Sequence, residues 1–209
     1  MKILHSNVNT LMPDIKNKRS YTELRTEFPY FIFEYYSVEV NNSNINVKYK
    51  FNLSGKHFFF PSIHIPLKPF FRFDLKHINK LNNIFFHIGM IELISYWKAA
   101  CPPEVIIKPH SLNDEQVVWW KDLFYKGLGE FFYVNRIEAD ILSFMNIKTE
   151  KSNSPEKLNY DLFDENIIPV GGGKDSAVSL ELLSGSKKSN TPMVVNPGKA
   201  SWDTIFNAG

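Results

Sequence analysis

Cysteine is almost missing. Cys101 is the only one in 209 residues, which excludes an internal disulfide framework and suits a reducing compartment. A surplus of one charge is missing too: 24 Lys and Arg face 22 Asp and Glu, for a formal charge of +2. No large positive field is therefore available to hold nucleic acid without sequence preference. The opening residues MKILHSNVNTLMP turn polar after Leu4 and offer no apolar core for a signal peptide. The expected setting is the cytoplasm. The six histidines, His5, His57, His64, His77, His87 and His110, show no metal-ligand spacing such as H-E-x-x-H and no partnering cysteine pair, so they suggest no structural metal. Internal repeats are lacking. The longest apolar run, Ile84 to Ala100, is roughly 17 residues against the about 20 usually needed to span a bilayer, and it carries His87, Glu92 and Lys98. It is expected to be a buried core helix.

Hydrophobic residues make up 44% and charged residues 22%, a balance that belongs to folded, soluble chains. Phe31 to Leu53 is rich in aromatic and β-branched residues and is interrupted by the polar run Asn41 to Asn44, which predicts a hairpin. His57 to Phe71 is broken by Pro61, Pro66 and Pro69, so it predicts an edge strand or extended loop. Pro102 and Pro103 stop the apolar helix, and Glu104 to Lys108 reads as a short strand. Asn113 followed by Gln116 predicts a capping box for a helix running to about Leu128. Val117, Trp120, Phe124 and Leu128 form its buried stripe, and Gly127 and Gly129 end it. Gly129 to Ile137, GEFFYVNRI, reads as another strand, and Glu138 to Met145 as a short helix. Residues 1–149 are thus expected to form an α+β domain. The charged, Ser-, Asn- and Pro-rich stretch from about Lys148 to Asp161 marks the boundary, with a linker over 150–165.

Ile167 to Val170 is a short apolar strand, Gly171 to Gly173 follow at once, and Asp175 opens a helix through Ala177, Val178, Leu180 and Leu182. That order of strand, glycine turn and helix predicts a phosphate-binding loop. Residues without Cβ atoms let the backbone approach a polyphosphate, and the helix N-terminus favours its charge. Ser176 can donate to a phosphate and Asp175 can hold the Mg²⁺ that accompanies ATP. A Walker A loop fails here, because Ile168 and Asp175 stand where it needs Gly and Ser or Thr. A dinucleotide loop fails at Ser176. The bland alternative is a glycine turn that merely caps a helix.

GGGKDS resembles the PP-loop, S-G-G-x-D-S, of the ATP pyrophosphatases, with Gly172, Gly173, Asp175 and Ser176 in register and Gly171 departing from the usual Ser. The wider stretch from Phe85 to Ile137, with SYWKAACPPE, Trp119–Trp120 and GEFFYVN, is similar to the UDP-N-acetylmuramoyl-L-alanyl-L-glutamate epimerases. The resemblance implies an α/β chain in which the α+β domain precedes the start of a Rossmann-like, PP-loop parallel-sheet domain over 166–209. It implies ATP and Mg²⁺ as cofactors, held by Gly171, Gly172, Gly173, Lys174, Asp175 and Ser176, with Asp175 on the metal. The implied reaction inverts the terminal L-glutamate of a nucleotide-sugar peptide through an adenylated carboxylate, for peptidoglycan precursor synthesis. A two-thiol racemase would need a cysteine on each face of the substrate, and the chain has only Cys101.

Three readings stay open beside one another. A PP-loop enzyme acting on tRNA is the second, and near-neutral charge weighs against it. A non-catalytic fragment is the third, because only about one and a half βα units follow the linker where a doubly wound sheet needs more. Pro192 to Asn196 is expected to form the second parallel strand, poorly covered at Met193, Val194 and Val195, and Ser201 and Trp202 to begin the next helix. No side chain is singled out as the epimerisation base. Lys98 can complement the end of the apolar helix and Cys101 can simply fill core. Trp119 and Trp120 cannot share a helix face, so Trp120 is assigned to the core. Glu130 and Asn135 either contact a polar substrate or are solvated strand residues.

Overall fold

A computed structural model describes residues 2–4, 19–41, 43–67, 75–150, 154 and 163–208, with only the backbone of 2–4 and 75–77. After β1 (Lys2–Leu4) and a short helix α1 (Tyr21–Glu27), the aromatic run forms the expected hairpin. Its arms are β2 (Tyr30–Val40) and β3 (Asn44–Leu53), antiparallel with Phe31 opposite Leu53 and Val40 opposite Ile45. Alternation decides which face is buried: Ile45, Val47, Tyr49, Phe51 and Leu53 all point into the core, while Lys48 stays exposed. A register shift between Phe33 and Tyr35 marks a bulge at Glu34.

The proline-broken stretch gives β4 (His57–Phe59) and β5 (Ser62–Pro66). β5 is not an edge strand as the prolines suggested, because β1 pairs with it on one side and β3 on the other. Pro61 and Pro66 sit at its two ends, where a missing N–H does least harm to the ladder. Residues 68–71 of that stretch, including Pro69, lie outside the described residues.

A 3-10 helix (Leu75–Leu81) leads into α2 (Asn82–Trp97). Phe86, Met90, Leu93 and Trp97 recur at helical spacing and are fully buried. Gly89 brings the helix backbone against the sheet: a Cβ there would lie 2.6 Å from the Phe33 ring and 2.7 Å from Tyr49. Tyr49 Oη donates to the Phe85 carbonyl at 2.9 Å, and the Phe33 and Phe86 rings stack. The expectation of a wholly buried helix is only half met. Ile84 and Ile91, on its other side, are about half exposed.

β6 (Glu104–Ile107) pairs parallel with β2, and β7 (Asn146–Thr149) parallel with β6. Between them α3 (Asp114–Gly127) carries the expected Asn113–Gln116 capping box, with Trp120 and Phe124 buried. Gly129 does not end it but opens α4 (Gly129–Asn135), so GEFFYVN is helix and not strand. Leu128 caps both helices, and Phe132 N donates to its carbonyl. The short helix expected over Glu138 to Met145 is absent: those residues run without regular structure and then turn. The turn feeds β7, a strand that polar Asn146 and Lys148 disguised. The resulting seven-stranded mixed sheet runs β1-β5-β3-β2-β6-β7, with β4 on β3.

The rest of the described chain forms a separate pair. β8 (Asn166–Pro169) and β9 (Asn190–Met193) are parallel, joined through α5 (Lys174–Ser184), and α6 (Lys199–Asn207) follows. The second strand starts two residues before Pro192 and ends at Met193, so Val194 to Asn196 are not part of it. Met193 and Val195 are poorly covered, as expected. Most of the linker, 151–153 and 155–162, lies outside the described residues. The chain is α/β, with a mixed sheet and six α-helices among the described residues.

Candidate functional site

The glycine turn joins the C-terminal end of β8 to α5, and each glycine has its own geometry. Gly172 takes φ +85°, and a Cβ there would stand 2.7 Å from the backbone of Ala200 and Ser201. Only glycine fits both demands. Gly171 and Gly173 meet nothing within 4 Å at the same position, so the open side of the loop is bare backbone. Gly173 is the N-cap of α5 and supplies no side-chain cap to its first turn. Ser176 Oγ accepts from Gly171 N at 3.0 Å, which ties the turn to the helix and leaves the hydroxyl hydrogen free to donate. Asp175 is exposed in the first turn.

A second helix start, which sequence reasoning did not assign to the site, meets the same loop. α6 is capped by Gly198, again without a side-chain cap, and its first turn contains the Ala200 and Ser201 backbone on which Gly172 rests. Two helix N-termini without side-chain caps, each following a parallel strand, therefore meet at one glycine. Lys174 and Lys199 begin these helices, where a cation opposes the helix dipole. A bound polyanion would reverse that cost. The signal in the sequence was the second glycine-to-helix step, Gly198 into Lys199.

The remaining candidates sort cleanly. Burial pushes the Cys101 thiol up to about 12, with the nearby Arg25 guanidinium pulling the other way; it is core, not a nucleophile. Lys98 is exposed. Trp120 is buried and Trp119 is 57% exposed. Asn135 Nδ2 donates to the Phe131 carbonyl at 2.8 Å within α4, and Glu130 is solvated on the same helix. Trp119 instead lines a groove of about 690 Å³ between α2 and α3, with Ile84, His87, Ile88, Ile91 and Glu115. Burial, and to a lesser degree His110, lower the His87 pKa and favour its neutral form. The lining is mostly carbon and presents no cation to a phosphate. Among the described residues no three His, Cys, Asp or Glu side chains cluster as a metal site, and no helix is long and apolar enough to cross a membrane.

Over residues 22–208 the sequence matches the family described as the MurL N-terminal domain. It is 31% identical over 96 residues to the UDP-N-acetyl-alpha-D-muramoyl-L-alanyl-L-glutamate epimerase of Xanthomonas oryzae pv. oryzae, covering 46% of this chain and 21% of that protein. Proteins of the same name are similar in Micromonospora sp., at 33% over 105 residues, and Salinispora tropica, at 30% over 113 residues. Those stretches cover 50% and 54% of this chain and 23% and 24% of the relatives. The matched part thus spans less than a quarter of each relative's length. No solved structure matches the chain.

Proposed function

The chain belongs to the MurL N-terminal domain family, and on that premise we propose that it serves an ATP- and Mg²⁺-dependent epimerase. The substrate is UDP-N-acetylmuramoyl-L-alanyl-L-glutamate, whose terminal L-glutamate is inverted to D-glutamate with release of AMP and pyrophosphate, in the synthesis of peptidoglycan precursors. One observation carries the nucleotide part of the reading. Gly172 is backed onto α6 while nothing stands within 4 Å of a Cβ at Gly171 or Gly173, room that a polyphosphate cradle needs.

The residues present fit the group. The first-turn N–H groups of α5 and α6, the Ser176 hydroxyl, Lys174 and Lys199 would hold phosphate oxygens, and the Asp175 carboxylate would hold Mg²⁺. Gly171 offers no hydroxyl of its own, and its N–H is already given to Ser176. ATP supplies the activation: adenylating the carboxylate beside the α-carbon removes its negative charge, so the α-proton becomes acidic enough for an ordinary side-chain base. Reprotonation from the other face and loss of the activating group to water would complete the inversion.

Asp175→Ala in the full protein is expected to abolish release of AMP and pyrophosphate without unfolding it. Gly171→Ser, whose Cβ meets open space, is expected to keep that activity. Unchanged turnover in Asp175→Ala would remove the PP-loop from the mechanism.

A further inference from the structure

The bulge at Glu34 sets two consecutive side chains on one face of the sheet. Phe33 stacks on Phe86 of α2, and Tyr36 Oη donates to the Asn82 carbonyl at the start of the same helix at 3.2 Å, so both face α2. A regular strand alternates and cannot put residues three apart on one face. The extra residue of the bulge resolves this by sending both Glu34 and Tyr35 to the other face. There Lys108 Nζ donates to Glu34 Oε2 at 3.1 Å and Asn52 Nδ2 donates to Glu34 Oε1 at 2.8 Å, which gives a row of donor, acceptor and donor. Burial opposes the Glu34 charge, but the Asn52 and Lys108 bonds outweigh it and hold the carboxyl below its ordinary pKa. Glu34 is therefore an acceptor only.

Beside this row an ammonium is lodged between two rings. Lys50 Nζ lies 5.7 Å from the centre of the Tyr35 ring and 5.2 Å from that of Phe58. The rings stand on β2 and β4, with Lys50 on β3 paired to both strands, and they are 51% and 45% exposed. Among the described residues no carboxylate lies within ion-pair distance of Lys50. The slot thus offers flat aromatic faces to a planar group and an unneutralised cation to an anion.

We propose that this face of the sheet binds the uridine diphosphate end of the substrate, with the uracil stacked on Tyr35 and the Lys50 ammonium drawn out to the diphosphate. That the base is uracil rests on the epimerase reading. The pairing edge of uracil presents an acceptor, a donor and an acceptor in O4, N3–H and O2, the complement of Lys108, Glu34 and Asn52. A carboxylate has about four lone-pair sites, so Glu34 can accept from N3–H without releasing either partner. Cytosine carries a lone pair at N3, which would face the Glu34 carboxylate unpaired, and a site built to receive a donor rejects the analogue that lacks one.

Calorimetry of this chain with UDP, without ATP or Mg²⁺, tests the inference, with CDP and ADP for comparison. UDP is expected to bind one-to-one and about tenfold or more tighter than CDP or ADP. Tyr35→Ala, a change at an exposed site, is expected to weaken UDP about tenfold with an unaltered circular dichroism spectrum. Lys50→Gln is expected to weaken UDP more than uridine, which has no phosphates. Glu34→Gln, whose amide can donate to cytosine N3, is expected to narrow the preference for UDP over CDP, which a merely structural role for Glu34 would not do. Absence of UDP binding, equal affinity for UDP, CDP and ADP, or UDP affinity unchanged in Tyr35→Ala would overturn the inference. The titration involves no ATP, so peptide-dependent AMP release by a full protein that does not bind UDP rejects this inference alone. UDP binding without peptide-dependent AMP release instead removes the phosphate-loop reading and leaves this face standing.

Discussion

The seven-stranded sheet with its helices and the β8–α5–β9–α6 unit use apolar residues in opposite ways. In the first, Phe31, Phe33, Phe51, Phe85, Phe86 and Trp97 are essentially inaccessible, with Phe51 ring to ring against Phe31 and Phe33, and Phe86 stacked on Phe33. In the second, only Ile168, Val170 and Ser201 are buried, α5 buries nothing, and Val178, Leu182 and Phe206 are exposed. One region is held together by its core. The other is held by a parallel ladder and by the close approach of Gly172 to the Ala200 and Ser201 backbone, and it carries the proposed nucleotide loop. Stability and nucleotide binding are therefore expected to be separable by mutation.

The largest effect is expected in the core. Phe33→Ala removes a fully buried ring and should cost about 3–5 kcal/mol of stability, read from chemical denaturation, without altering the loop itself. Gly89→Ala attacks the same contact from the helix side, forcing a Cβ into the Phe33 and Tyr49 rings, and should cost about 1–3 kcal/mol. A neutral Gly89→Ala would mean that α2 does not lie as close to the sheet as described.

Next comes the loop. Gly172→Ala meets both a positive φ and the α6 backbone, so nucleotide binding should be lost by calorimetry while the main denaturation transition stays put. Gly173→Ala, in open space at φ −91°, should leave stability within about 1 kcal/mol and weaken only the nucleotide. Equal losses of global stability in both variants would show that the two regions fold as one.

Charge gives the smallest effect. The His87 pKa is lowered in the fold by burial and, secondarily, by His110. Between the folded value and the ordinary 6.5, the unfolded state binds more protons, so stability is full above 6.5 and declines as pH falls through the folded value. His87→Gln should flatten that part of the stability profile. A wild-type profile without the decline would contradict the burial of the ring against Trp120.

How much of this was legible depended on whether a local rule and the tertiary context agreed. The hairpin, the Asn113 cap and the glycine turn each rest on chemistry within a few residues, and all three stand where the sequence placed them. GEFFYVN misled because aromatic residues favour strands only on a half-buried pleated surface. Here Phe132 alone is buried, Tyr133 and Val134 point to solvent, and the helical bond from Phe132 N to Leu128 O sets the backbone. β7 was missed for the converse reason: only Ile147 of its four residues is buried, and it is pairing with β6 that makes NIKT a strand. The meeting of α6 with the loop could not be read at all, since it joins Gly172 to Ala200 across 28 positions of sequence.

If this domain serves an epimerase that uses ATP to activate the glutamate carboxylate, AMP release is tied to inversion of the peptide. Incubating the full protein with Mg·ATP and UDP-N-acetylmuramoyl-L-alanyl-L-glutamate in D₂O tests it directly, with AMP followed by chromatography and deuterium by mass spectrometry. AMP release is expected only when the peptide is present, with deuterium at the glutamate α-carbon of the D-product. AMP release stimulated by tRNA and not by the peptide, or inversion that proceeds unchanged without ATP, would contradict it.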